Sequence, residues 1–150
     1  VNLSDIDFND GGEGTAYLHA EFPDVSEMGN GSPFALDDGT TADKILMYGQ
    51  SATNQVHVGG AEQFGGTAGT LPDATPYRYA LTWATNNFNY ARDGSLFQSA
   101  DTSGNVPTSL TTIRFGNTPG HVHIKKQHVV HFALFPARLI DADLQTITTG

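Results

Sequence analysis

Six histidines are the side chains here whose chemistry is easiest to imagine, and two of them are spaced for it. His121-Val-His123 sets two imidazoles on one face of an extended segment, a spacing that metal sites in β proteins use. A third and fourth ligand would have to come from His128 or His131, because the chain has no cysteine and no carboxylate follows at a telling distance. Two ligands do not make a site, and the stronger reading is surface or partner-facing histidines on an edge strand. Asp37 and Asp38, next to Gly39, are a second candidate, since carboxylates and loop carbonyls suit Ca²⁺. Asp-Asp-Gly is also ordinary turn chemistry, which is preferred, so no cofactor is expected beyond Ca²⁺ at that turn.

Sugar binding asks for an exposed aromatic ring, which stacks on the pyranose, and for amide, carboxylate or guanidinium groups that bond its hydroxyls. Asn87, Asn89, Tyr90 and Arg92, beside the Asp93-Gly94 turn, supply that set. Tyr77, Tyr79 and Trp83 are the rival aromatics, but at strand spacing around Leu81 they read as core, and Tyr90 has the same alternative beside Phe88. Retaining glycosidases need two closely placed carboxylates, typically Glu-x-Asp-x-x-Glu on one strand, and no such run exists. There is no Gly-x-Ser-x-Gly elbow either, and Gly29-Asn-Gly-Ser-Pro33 reads as a loop.

Elements that would position these residues follow from composition and alternation. At 150 residues the chain is the size of one domain, expected to span 1–150, and it opens on Val1, so a processed product or a piece of a longer protein is expected. Seventeen glycines with many Thr, Ser and Asn separate short apolar alternations, the pattern of an all-β sandwich or barrel. A formal net charge of −9 with only seven Lys and Arg argues against nucleic acid, whose affinity comes from phosphate neutralisation, and against anionic membranes. No run of residues is apolar for long enough to insert in a bilayer.

Alternation predicts a first strand at Thr15–Phe22, with Ala16, Leu18, Ala20 and Phe22 facing the core. Phe34-Ala-Leu-Asp then leads into the turn Asp38-Gly39, and a second and a third strand are predicted at Lys44–Tyr48 and Gln55–Val58. The interval Gly59–Pro76 reads as a long surface loop holding a weak strand. Tyr77–Trp83 reads as a central strand, and Asn87–Arg92 pairs through Asp93-Gly94 with Ser95–Ser99. Thr111–Phe115 and His121–Phe135 complete the set, until Pro136 removes the next ladder donor. Ile140, Leu144 and Ile147 then fall at i, i+4 and i+7, the stripe of a short terminal helix with Asp141 and Asp143 in its first turn.

Several landmarks in order carry a family resemblance: Gly14-Thr-Ala-Tyr-Leu-His-Ala-Glu-Phe22, Phe34-Ala-Leu-Asp-Asp-Gly-Thr-Thr41, Tyr79-Ala-Leu-Thr-Trp83, Arg92-Asp-Gly-Ser95, Ile113-Arg-Phe-Gly116 and Phe135-Pro-Ala-Arg-Leu-Ile-Asp-Ala-Asp-Leu-Gln145. Together they resemble the concanavalin A-like, laminin-G-like jelly-roll domains of bacteriophage tail-fibre and other virion proteins. The resemblance implies a two-sheet antiparallel jelly-roll sandwich with a short C-terminal helix, displayed on a particle surface and sometimes binding glycans or host receptors. Where such domains have Ser and then Glu as a capping box, this chain has Ile140 and Asp143. That departure shifts the expected N-cap to Asp141 and turns Ile140 to apolar packing. Gln55-Val56-His57 is also similar to a strand of jelly-roll alginate lyases, but the partner strands of that motif set are missing.

The expectation is therefore a non-catalytic phage virion domain, from a tail, fibre or capsid surface. It would pack against other virion subunits, as a trimer by analogy with fibres, and present a face to cell-surface glycan. The alternative is a secreted carbohydrate-binding module of a polysaccharide-degrading enzyme.

Overall fold

The computed structural model describes residues 1–6, 12–24, 26, 31–48, 51–97, 101–120 and 126–150. Among these residues a 3-10 turn (Leu3–Ile6), ten strands and one α-helix follow in order: β1 (Glu13–Glu21), β2 (Phe34–Asp37), β3 (Lys44–Tyr48), β4 (Thr53–Val58), β5 (Ala61–Thr67), β6 (Tyr77–Ala84), β7 (Asn87–Arg92), β8 (Ser95–Leu96), β9 (Thr112–Phe115), β10 (His128–Phe135) and α1 (Asp141–Thr149). They form two five-stranded antiparallel sheets among the described residues, ordered β10-β1-β6-β7-β8 and β5-β4-β3-β2-β9. The fold is the two-sheet jelly-roll sandwich with a terminal helix.

Period-two alternation decides which side chains meet between the sheets. Ala16, Leu18 and Ala20 of β1 and Tyr77, Tyr79, Leu81 and Trp83 of β6 point inward from the first sheet. Phe34, Leu36, Ile45, Met47, Val56 and Ile113 answer from the second. Aromatic pairs bridge the layers: Phe115 of β9 meets Phe132 of β10 edge-on at 4.8 Å, and Phe64 of β5 stacks on Phe88 of β7 at 5.2 Å and meets Tyr90 edge-on at 6.0 Å. A polar bridge joins the layers as well, where the buried Tyr79 hydroxyl donates to the Asn54 side-chain carbonyl. Gly14 is required where it stands, because a Cβ there would sit 2.6 Å from the Trp83 ring.

Three places refine the sequence expectation. The strand expected inside the Gly59–Pro76 loop is present as β5, seven residues long, and its glycines allow pairing because Phe64 alone of the strand has to be buried. The strand predicted at His121–Phe135 is described from His128, and 121–125 lie outside the described residues. The helix starts at Asp141 with Ile140 as an N-cap that makes no side-chain capping bond. Ile140 is 60% exposed, so the apolar packing expected of it falls instead to Leu139.

Helix α1 covers the outer face of the first sheet, where Leu144 seats against Ala80 and Ala91 with Tyr17 and Ile147 at the margin. Two alanines let the helix approach closely, which explains why both faces of β6 are buried. Thr148 accepts the Gly94 N–H and Gln145 donates to the Gly94 carbonyl, so the β7–β8 turn is tied to the helix. That turn has the positive φ at Asp93 and Gly94 that the Asp-Gly pair predicts. Among the described residues no helix is long and apolar enough to cross a membrane.

Candidate functional site

The four residues singled out for sugar binding do not make one surface. Tyr90 is core, at 6.4 Å from Tyr79 and 6.2 Å from Phe97 in near-parallel stacks. Asn89 is fully buried, with its side-chain oxygen accepting the Tyr90 N–H. Both are corrected to interior positions, Tyr90 because it shares the inward face of β7 with Phe88, Asn89 because its sheet face is buried. Arg92 donates to the carbonyls of Gly69 and Thr70 and lies over the Phe97 ring at 5.1 Å, which commits it to pinning a loop. Asn87 stays half-buried at the end of β7.

The metal candidates resolve differently. Asp37 is buried and holds Arg114 through two bonds, Nε at 2.7 Å and Nη2 at 3.2 Å, and accepts the Gly39 N–H at 2.8 Å. Burial beneath a guanidinium leaves no carboxylate oxygen free for Ca²⁺, which corrects that reading of Asp37. Asp38 accepts the Thr40 N–H and hydroxyl, a turn as preferred from sequence. His121 and His123 lie outside the described residues; His131 stands edge-on to Tyr17. Among the described residues, no three His, Asp or Glu side chains are grouped to hold a metal ion.

What sequence reasoning missed is the outer face of the second sheet. Register places Thr112, Asp37, Lys44, His57 and Glu62 side by side across its five strands, with Ala35, Leu46, Gln55 and Gly65 in the next row. Leu46 points outward yet is buried, as is Ala35. After β9 the chain turns at Gly116, with φ of 74°, and Thr118 and Pro119 become buried over this face. Gln127 then donates to the Pro33 carbonyl at 2.8 Å, anchoring the chain on its way to β10.

Between β3, β4 and this returning segment lies a cleft of about 170 Å³, lined by Lys44, Leu46, Tyr48, Gln55, Thr118 and Pro119. Leu46 and Pro119 form apolar surface, and Tyr48 adds an aromatic ring. Thr118 is only 5% exposed, yet its hydroxyl has no hydrogen-bond partner among the described residues. An orphaned buried hydroxyl costs about 1–3 kcal/mol, which makes it a position where a ligand gains. Gln55 donates to Glu62 at 3.1 Å, and His57 stands 3.8 Å from the same carboxylate.

His57 is pushed below its ordinary value, first by burial and then by the Lys44 charge, with the Gly60 carbonyl and Glu62 opposing. The unfolded chain therefore binds more protons in the window below about 6.5, so stability falls as pH drops from there towards the folded value. We expect His57→Gln to lose less stability than the parent between pH 7.5 and pH 5.5 in urea unfolding; an equal loss in both would refute it.

No family model and no curated protein matches the sequence. Solved structures do. The CBM40 domain of Ruminococcus gnavus IT-sialidase, bound to α2,6-sialyllactose, aligns with a TM-score of 0.72 at 13% identity, over 91% of this chain and 82% of that one. The leech intramolecular trans-sialidase aligns at 0.72 and 16% identity over 91% of this chain, which spans 23% of the leech enzyme. Domain 4 of a Geobacillus stearothermophilus GH43 extracellular arabinanase, in complex with arabinotriose, aligns at 0.71 and 10% identity, over 91% of this chain and 66% of that one. None of these three is a virion protein, so the phage resemblance finds no support here beyond its fold. What the chain shares with them is the β-sandwich of domains carried by glycoside hydrolases.

Proposed function

We propose that this chain is a non-catalytic carbohydrate-binding module whose glycan site is the β3–β4 cleft. The observation that carries the reading is the cleft itself: an aromatic ring and apolar walls beside an unpartnered buried hydroxyl, an amide and an ammonium group. Pyranose rings present an apolar C–H face and a rim of hydroxyls, and this lining answers both. Among the described residues that line the cleft there is no carboxylate of the kind the two-carboxylate route of glycoside hydrolysis uses. Its volume is below the roughly 300–1,000 Å³ of sites that enclose drug-sized ligands, which suits one sugar residue better than a length of chain. Similar sandwiches with bound oligosaccharide support the same reading over a virion role.

A glycan array probed with the purified chain tests it. Binding to a restricted set of glycans is expected, with an affinity loss of about tenfold or more on Tyr48→Ala and an unchanged melting temperature. Absence of any bound glycan, or Tyr48→Ala binding like the parent, would sink the proposal.

A further inference from the structure

Resting on that glycan reading, we propose that the cleft selects sugars bearing a carboxylate, with Lys44 as the residue that reads it. Every acid near Lys44 in the sheet is committed elsewhere. Asp37, its cross-strand neighbour, is held by both Arg114 nitrogens and by the Gly39 N–H. Asp43, next in sequence, accepts the Gly59 N–H on one oxygen and the Ser109 hydroxyl on the other, each at 2.6 Å. Glu62 takes Gln55 and faces His57. Among the described residues Arg92, Arg114 and Arg138 each stand within 4.0 Å of an aspartate, whereas Lys44, like Arg78 and Lys126, has no carboxylate within that distance; of these three, Lys44 is the one that lines the cleft.

What sets Lys44 apart is its place in the cleft of a chain of net charge −9. The long-range field of such a chain repels anions, so any selection for one has to be local. Lys44 lines the cleft together with Tyr48 and the orphaned Thr118 hydroxyl. A charged ammonium beside an unpartnered hydroxyl matches a carboxylate beside ring hydroxyls better than a neutral sugar alone. Glu62 is the opposing charge on this face, two strands from Lys44 or about 10 Å, roughly one Debye length at moderate salt. His57, between them in register, adds no second cation near neutral pH.

Titration calorimetry with paired ligands decides the matter: 3′-sialyllactose against lactose, and trigalacturonate against galactotriose. In at least one pair the acidic member should bind about tenfold tighter or more, and that margin should shrink between about 20 mM and about 500 mM NaCl. Lys44→Gln should abolish the margin, and Lys44→Arg, which keeps the charge, should retain most of it. Equal affinity within both pairs, or a margin surviving Lys44→Gln, overturns the carboxylate inference while glycan binding stands. Failure of every sugar on the array to bind overturns both.

Discussion

Truncating Phe64 to alanine should destabilise the sandwich by about 3–5 kcal/mol, the range for deleting a fully buried aromatic ring. Phe64 is the one buried side chain of β5, so that strand has no other anchor in the core. Its ring is also the partner of Phe88 and Tyr90 across the interlayer gap, and such aromatic pairs add about 0.5–1.5 kcal/mol beyond the area they bury. The hole left behind cannot collapse easily, because both neighbours sit on β7, which is held on one side by β6 and on the other by β8. Denaturant midpoints should fall with little change in slope. A loss under about 1.5 kcal/mol would mean that β5 is held by its ladder to β4 and that the ring is incidental.

Arg114→Met is the second large effect, at about 3 kcal/mol, the lower end of the range for stranding a buried partner. Asp37 has no solvent exposure, and without the guanidinium its carboxylate keeps only the Gly39 N–H. The value stays at the lower end because the Arg114 side chain is one third exposed and water can reach part of the gap. Removing both charges, as Arg114→Met with Asp37→Leu, should recover most of the loss, since the penalty comes from the lone carboxylate rather than from a missing attraction. A double variant no more stable than the single one would show that the pair also fixes the β2–β9 register.

Much of the sandwich could be read from alternation, and the reasons it could not all be read are specific. β1 and β6 carry apolar residues at every second position, so their inward faces are plain from sequence. β5 buries a single ring among glycines and polar residues, which no periodicity reveals. Asn89 looks like a surface residue until α1 is placed on the sheet it belongs to, and the helix stripe does not say which strands it covers. The cleft has the same difficulty. Lys44, Tyr48 and Gln55 lie on strands that were recognised, but each seems an ordinary outward polar position until Thr118 and Pro119, some seventy residues later, fold back over them. The unsatisfied hydroxyl of Thr118 has no sequence signature at all.

The pairing of β1 with β10 has a consequence for how the chain is made. Thr15 finds Phe135 in the ladder, and its hydroxyl reaches the Ala137 carbonyl across 122 residues of sequence. On the ribosome, β1 therefore waits beside β6 with one edge open until the C-terminal strand emerges. Late closure of so long a loop is an entropic cost met near the end of folding, and all-β topologies of this kind fold in milliseconds to seconds. During that wait the edge of β1 that pairs with β10 has no ladder partner, which makes the nascent chain, rather than the finished fold, the form most in need of protection from aggregation.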